Sequence, residues 1–271
     1  MADHIALKFL LILQIWLFND LAVLAAQTAQ PPSHPFPSHT GYASGTIKPN
    51  HRTQAQLDQD VSGFYAYWKS RYLIQLQDSP PSYRISSGTP YPERTVSEGQ
   101  GFGMIIVALM AGYDPDARSI YDGLWNFVRE HPSNIDQRLM AWEVPEGAGG
   151  ESSAFDGDAD IAYSLLLADV QWGSFSSVNY RAEAMTLISA IKESTIGPES
   201  HLPLLGDWVD PHGGQYNQFT PRSSDFMPDH FLAFSRISGD PFWDKTYAAV
   251  QSAISGLQAD FSKNTGLLPD F

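Results

Sequence analysis

Apolar residues recur at helical spacing along most of the chain from about residue 52, whereas strand signals are sparse. The spacing predicts seven helices, near residues 57–72, 98–111, 116–129, 158–172, 179–194, 225–235 and 241–259. Residues 83–88 form the best short strand candidate. With 271 residues, of which 43% are hydrophobic, the chain is long enough to bury a substantial core. We therefore predict an all-α fold.

Helices that follow one another through short connections can pack as antiparallel pairs. One architecture that fits is an α-toroid, in which an inner ring of helices lies within an outer ring. A closed toroid of this kind needs about twelve helices, and the pattern here predicts seven before the chain ends in TGLLPDF. We expect residues 52–271 to form one domain that is incomplete at its C-terminus.

Residues 1–29 resemble a bacterial-type secretory signal peptide, with an apolar run followed by small residues. The flanks are imperfect, because Asp3 precedes the run and Asp20 follows it closely. The uncharged stretch between Lys8 and Asp20 is too short to span a membrane. We predict a secreted, extracellular protein. A retained anchor or a cytosolic N-terminus is the alternative.

Residues 30–51, rich in Pro, Ser and His, read as a linker or an extended arm.

The net charge of −14 argues against a nucleic-acid partner, because the chain could not neutralise a phosphate backbone. The absence of cysteine excludes thiol chemistry. The eight histidines show no metal-ligand spacing, and no phosphate-binding loop or nucleophile elbow is present. We predict a protein without metal or cofactor, monomeric, and not bound to a membrane in its mature form.

The segment TVSEGQGFGM, residues 95–104, surrounds the carboxyl group of Glu98 with glycine at the start of an apolar helix. Glycine in a helix interior costs roughly 0.5–1 kcal/mol relative to alanine, so three of them need a reason. The reason that we infer is that something large approaches the backbone beside Glu98. The three are Gly99, Gly101 and Gly103.

Ser97 is followed three residues later by Gln100, which reads as a capping box with Glu98 as the first helical residue. A helix N-terminus favours an ionised carboxylate, so a proton donor here would need burial or neighbouring carboxylates to stay protonated. The alternative is an ordinary capped core helix whose first-turn glutamate complements the helix dipole.

A second acidic cluster, Asp156, Asp158 and Asp160, begins the fourth predicted helix. An EF-hand would need glycine at the sixth position of its loop and glutamate at the twelfth, where this chain has Ile161 and Leu167. Acidic residues at a helix start can serve as N-cap and first-turn charges, which accounts for one or two of the three. Glycoside hydrolysis, which uses paired carboxyl groups, accounts for them together with Glu98 and the tryptophan-bearing loops.

These segments resemble glycoside hydrolase family 8 over roughly residues 54–271. TVSEGQGFGM is similar to the family's acid-bearing helix start, and AFDGDADIAYSLLLADVQW to its signature around Asp-Gly-Asp. Phe155 departs from that signature, where Ser or Thr is usual. LMAWEV and LLGDWV are similar to the family's tryptophan-bearing cleft segments, and RSSDFMPDHFLAF and GLLPDF follow in the expected order.

The resemblance implies an (α/α)6 barrel and endo-hydrolysis of β-1,4-linked polysaccharide with inversion of configuration. It implies that Glu98 is the general acid and that Asp156 binds and distorts the sugar at the cleavage point. Substrate-binding roles fall to Trp142, Trp208, Asp158 and Tyr163.

The resemblance does not place the catalytic base. In one branch of the family the base is an aspartate in a Tyr-Asp-Ala-x-Arg segment after the GLLPDF-like stretch, and in another it is a glutamate in a different loop. The chain ends before the first, and no segment matches the second. The remaining acidic candidates are Asp225 and Asp229, which we interpret instead as a helix N-cap and a first-turn charge.

We therefore predict that residues 52–271 are part of the catalytic domain of a secreted, inverting endo-β-1,4-glycanase acting on a cellulose-like glucan. A chitosanase or a lichenase of the same family is one alternative. A non-catalytic glycan-binding protein is another, if the base is missing from the protein.

Overall fold

The computed structural model of the protein describes residues 31–38, 44–147 and 149–270. The predicted signal peptide, residues 1–29, lies outside the described residues and stays a prediction. Residues from Ser33 onwards form one compact unit. Within the described ranges, no helix is both long enough and apolar enough to cross a membrane.

The described residues contain seven α-helices, which confirms the predicted number. The helices are α1 (Gln54–Tyr72), α2 (Ser97–Leu109), α3 (Ala117–Glu130), α4 (Phe155–Trp172), α5 (Tyr180–Ser194), α6 (Pro228–Ser238) and α7 (Phe242–Phe261). Four short strands accompany them, namely β1 (Leu73–Gln75), β2 (Tyr83–Ile85), β3 (Thr95–Val96) and β4 (Glu143–Val144). A 3₁₀ turn, Ser223–Asp225, precedes α6.

The helices alternate between two layers. Helix α2 packs most extensively on α4, and α4 in turn contacts α6, so these three form an inner row. Helix α3 packs against α2, α5 packs mainly against α4 and also touches α6, and α7 packs against α6. Helix α4 is buried on nearly all sides, in line with its mostly apolar run over residues 161–170. An inner row covered by outer helices is the arrangement predicted for a toroid.

The apolar residues of α1, among them Val61, Phe64 and Tyr65, have the spacing of one helix face, but the structure does not bury all of them. The exposed fractions of Val61 and Phe64 are 47% and 69%, and Tyr65 is the buried residue at 4%. The Tyr65 hydroxyl donates to the carboxylate of Asp114 at 2.6 Å, and the Lys69 ammonium group donates to the same oxygen at 2.6 Å. These polar contacts turn the Tyr65 side of the helix inwards, which apolar periodicity alone cannot reveal.

The predicted capping box at the start of α2 is wrong. Val96 is the N-cap residue, no side chain caps the helix, and Ser97 is already helical. The Gln100 side chain instead accepts the amide of Ile85 at 3.0 Å and donates to the carbonyl of Leu124 at 3.0 Å. Gln100 is fully buried, so these contacts satisfy a polar group that would otherwise be unpaired.

Two small antiparallel sheets position the helix starts. Strands β1 and β2 pair, which confirms a strand within residues 83–88. Strands β3 and β4 pair with Val96 opposite Glu143. The Ser97 amide then donates to the carbonyl of Trp142 at 2.9 Å, so the start of α2 is tied to a tryptophan-bearing loop.

The short segment that begins at Ser33 contacts the helical unit, as expected for an extended arm rather than a free linker. The Ser33 amide donates to the carbonyl of Gln171 at 3.0 Å. The Gln171 side chain donates to the carbonyl of His34 at 2.8 Å and accepts the amide of the same residue at 2.9 Å. These bonds hold the arm against the C-terminal end of α4.

Candidate active site

Glu98 and Asp156 hold the same position on two neighbouring helices, because each is the second residue of its helix. Helices α2 and α4 approach so closely here that a Cβ atom on Gly157 would lie 2.6 Å from the backbone carbon of Ser97. Packing of the two helix starts therefore brings two carboxyl groups to one end of the inner row.

The glycines beside Glu98 do not provide the clearance for a substrate that the sequence suggested. A Cβ atom on Gly101 would lie 2.7 Å from Cβ of Asp160, and one on Gly103 would lie 2.4 Å from Ile85. Gly99 is the exception, with Val96 at an ordinary 3.5 Å. Two of the three glycines thus permit close contact between protein elements, and the prediction was wrong for them.

The Glu98 side chain is exposed, and its surroundings raise the pKa of its carboxyl group. Partial burial raises the pKa of Glu98, the charge of Asp156 raises it further, and Asp160 adds a smaller rise. Arg222 acts in the opposite direction and lowers the pKa. Desolvation and like charges are the two effects that keep a carboxyl group protonated.

Asp156 is nearly buried, with 9% of its surface exposed. One carboxylate oxygen accepts the amide of Gly157 at 2.7 Å, and the other lies 4.0 Å from Nη1 of Arg222. An amide donor at a helix start and a guanidinium group both stabilise an anion. The two carboxyl groups at this end therefore have different surroundings. Asp156 has an amide donor and a guanidinium group beside it, whereas burial and the charge of Asp156 raise the pKa of Glu98.

A cavity of about 620 Å³ lies beside this pair. Its wall includes Trp142 and Trp208, the two tryptophans that were predicted to bind substrate. The Trp142 indole donates to the carbonyl of Gly149 at 2.8 Å, which orients its ring. Trp208 is 45% exposed and contacts Tyr216 edge to face at 5.8 Å. Other residues in the wall are Asn134, Ile135, Gly149, Glu151, Ser152, Ser153, Ala154, Leu205 and Arg222.

Asp158 and Tyr163, predicted to bind substrate, both contact other residues of the protein. Asp158 is fully buried and accepts the amide of Met140 at 3.0 Å, and burial raises its pKa well above the ordinary value. Tyr163 stacks against His230 at 4.3 Å between centroids. Neither belongs to the described wall of the cavity. Both contacts are internal to the protein, and the substrate-binding role of the two residues stays a prediction.

Asp207 organises the cavity and was missed in the sequence, although it lies in the LLGDWV segment. Its carboxylate accepts the Ser133 hydroxyl at 2.5 Å, the Asp136 amide at 3.1 Å and the Ser153 amide at 2.8 Å. These bonds join the loop before β4, the approach to α4 and the segment that carries Trp208. One partly buried carboxyl group thereby connects three segments that are distant in sequence.

Asp225 is the second residue that sequence reasoning misjudged. It does not cap α6, whose N-cap is Met227, but lies in the preceding 3₁₀ turn with only 1% of its surface exposed. Burial, Asp156, Asp270 and Glu98 raise the pKa of Asp225 to about 7, against a lowering by Arg222. Asp229 is an exposed charge in the first turn of α6, as predicted. No local pattern distinguishes the two aspartates.

Replacement of Asp225 by Asn is expected to change how stability depends on pH. The ordinary pKa of 3.8 in the unfolded chain becomes about 7 on folding, so the folded state binds more protons between these values. Stability therefore falls as pH rises through this window. Asp225→Asn should remove much of that fall and stabilise the protein at pH 8 by on the order of 1–3 kcal/mol.

Urea unfolding at pH 4.5, 6 and 8 measures this effect. Asp260→Asn, a change of an exposed aspartate on α7, is the matched control and should leave the pH dependence unchanged. Parallel pH curves for the wild type and Asp225→Asn would contradict the assignment.

The described residues contain no group of three or more His, Asp or Glu side chains arranged to hold a metal ion. The site is thus built from carboxyl groups, one guanidinium group and aromatic rings. Paired carboxyl groups beside aromatic rings are the components that glycoside hydrolysis uses.

The sequence profile of the glycosyl hydrolases family 8 matches residues 53–271. The chain belongs to this family. Solved structures of family 8 are (α/α)6 barrels, so the seven described helices are part of such a barrel. The two layers found above are then portions of its inner and outer rings.

Two curated members of family 8 are similar to the chain. It is 42% identical over 247 residues to a beta-glucanase of Niallia circulans, across 89% of this chain and 58% of the relative. It is 41% identical to an endoglucanase of Bacillus sp. strain KSM-330, across 88% of this chain and 52% of the relative. The chain therefore spans somewhat more than half the length of these relatives.

Among solved structures, the apo structure of a beta-1,3-1,4-glucanase from Paenibacillus sp. X4 matches with a TM-score of 0.81 and 40% identity. The match covers 88% of this chain and 62% of that one. A reducing-end-xylose releasing exo-oligoxylanase matches with a TM-score of 0.62 at 16% identity, across 76% of this chain and 56% of that one, and shows the fold alone.

Proposed function

We propose that the chain is part of a secreted, monomeric, endo-acting glycoside hydrolase that cleaves β-1,4-linked glucan with inversion of configuration. The observation that carries the proposal is the pairing of Glu98 and Asp156 at the heads of adjacent inner helices, beside a cavity with two tryptophans. The family membership supports the same reaction class.

In the proposed mechanism Glu98 donates its proton to the oxygen that leaves the scissile bond. Its raised pKa supports this role, because a general acid must still hold its proton when the substrate is bound. Asp156 accepts hydrogen bonds from sugar hydroxyl groups and favours a distorted ring, which approaches the oxocarbenium-like transition state. Trp142 and Trp208 stack against flanking sugars. An inverting enzyme also needs a base that activates water, and we assign that role to no residue of this chain.

A mixed-linkage β-1,3-1,4-glucan is the second candidate substrate. The relatives at 40–42% identity, named beta-glucanase and beta-1,3-1,4-glucanase, favour it over chitosan. Carboxymethylcellulose, lichenan and chitosan offered in parallel distinguish these candidates, with reducing-sugar release as the readout.

Proton NMR of the first product formed tests inversion, because cleavage of a β-bond should release the α-anomer. Release of the β-anomer would contradict the mechanism. Binding of the glucans without any cleavage would instead favour a glycan-binding protein without catalytic activity.

N-terminal sequencing of the protein exported by an expressing bacterium tests secretion, with cleavage expected near residues 25–29.

A further inference from the structure

Arg222 is the cation at the junction between the carboxyl pair and the tryptophan cavity. It precedes the 3₁₀ turn before α6, and a third of its side chain, 34%, is exposed. Its Nη1 lies 4.0 Å from Asp156 and its Nε lies 3.7 Å from Asp270. The same side chain forms part of the cavity wall. The Arg222 side chain therefore joins the cavity wall to the carboxyl group of Asp156.

The groups around Arg222 are predominantly acidic. Asp156 and Asp270 are its ion-pair partners, and its charge acts on the pKa values of both Glu98 and Asp225. Glu151 adds a further carboxyl group to the cavity wall. In the described part of that wall Arg222 is the only side chain with a positive charge. Without it, this end of the molecule would be an acidic pocket.

An acidic pocket attracts an ammonium group, whereas a guanidinium group at contact distance repels one. The sugars that distinguish the family's possible substrates differ in this charge, since glucosamine carries an ammonium group at the position where glucose has a hydroxyl. An arginine can still donate hydrogen bonds to the oxygen of a neutral hydroxyl group, because its guanidinium group carries five N–H donors.

We infer that Arg222 is a specificity-determining residue that favours an uncharged sugar over glucosamine beside Asp156. The inference rests on the proposed function, because it assumes that glycan enters this cavity. It deepens that function by assigning the substrate class to neutral glucans.

The charge of Arg222 can be removed without unfolding the protein. Its ion pairs with Asp156 and Asp270 are long, at 4.0 and 3.7 Å, so we expect the fold to survive loss of the charge. Arg222→Gln removes the charge and keeps much of the side-chain length, whereas Arg222→Lys keeps the charge. Arg181→Gln is the matched control, because Arg181 is exposed beside Asp169 near the C-terminal end of α4, away from the cavity.

The experiment measures binding of cellotetraose and of glucosamine tetrasaccharide by tryptophan fluorescence, at a pH where the amines are protonated. The wild type should prefer cellotetraose. Arg222→Gln should bind the glucosamine oligomer on the order of tenfold more tightly than the wild type does, since a like charge has been removed at close range. The gain should shrink at high salt. Arg222→Lys and Arg181→Gln should keep the wild-type preference.

The outcomes separate the inference from the proposed function. If cellotetraose binds but Arg222→Gln leaves the ratio of the two affinities unchanged, the inference fails and the proposed function stands. If neither oligosaccharide binds to any variant, both fail. A circular-dichroism melt of each variant distinguishes a change in affinity from a loss of fold.

Discussion

Glu98→Gln is expected to lower the rate of glucan hydrolysis by at least about 100-fold, because it removes the proton that the leaving oxygen needs. Glutamine has nearly the same shape, but its amide group is too weak an acid to protonate the leaving oxygen. Since the Glu98 side chain is accessible to solvent, stability and glucan affinity should change little. Reducing-sugar assays on lichenan and carboxymethylcellulose measure the rate, and tryptophan fluorescence measures affinity.

Glu199→Gln is the matched control, because Glu199 is exposed after α5 and does not belong to the described cavity wall. The pH profile adds a second test. The acid works only while protonated, so activity should decline as pH rises through the pKa of Glu98, and the raised pKa places that decline above the range of an ordinary glutamate. Turnover by Glu98→Gln at the wild-type rate would overturn the assignment.

Gly157→Ala is expected to have the largest effect on stability. The added Cβ atom would lie 2.6 Å from the Ser97 backbone, so helices α2 and α4 must separate. Overpacking of this kind costs typically about 1–3 kcal/mol, which exceeds the roughly 0.5–1 kcal/mol that alanine contributes over glycine inside a helix. Because Glu98 and Asp156 lie at the same helix starts, the separation should also reduce activity.

Gly256→Ala provides the matched control on α7, where an added Cβ atom has nothing within 4 Å. It should stabilise the protein by about 0.5–1 kcal/mol through helix propensity alone. Urea unfolding of the two variants measures both effects. If both variants changed the free energy of unfolding equally and in the same direction, the contact between α2 and α4 would not explain the effect of Gly157→Ala.

The helices were predictable because apolar periodicity is a local property of the sequence. The seven described helices coincide in number and approximate position with the predicted ones, and the best strand candidate pairs as a strand. Motifs in register identified the family before any contact was known, and they placed Glu98 and Asp156 together.

Errors arose where a residue's partner lies far away in the chain. Ser97 and Gln100 matched a capping pattern, but Gln100 bonds to Ile85 and Leu124. Gly101 and Gly103 matched the pattern of an open approach, but protein side chains fill the space beside them.

Local patterns were enough to establish helical elements, the acidic helix starts and the family. Tertiary contacts decided which carboxyl groups have a raised pKa, which glycines are needed for packing, and where a cation faces the cavity. Asp225 illustrates the division, since its pKa of about 7 arises from burial and from acids on other elements. Periodicity depends on neighbours along the chain, whereas desolvation and charge coupling depend on neighbours in space.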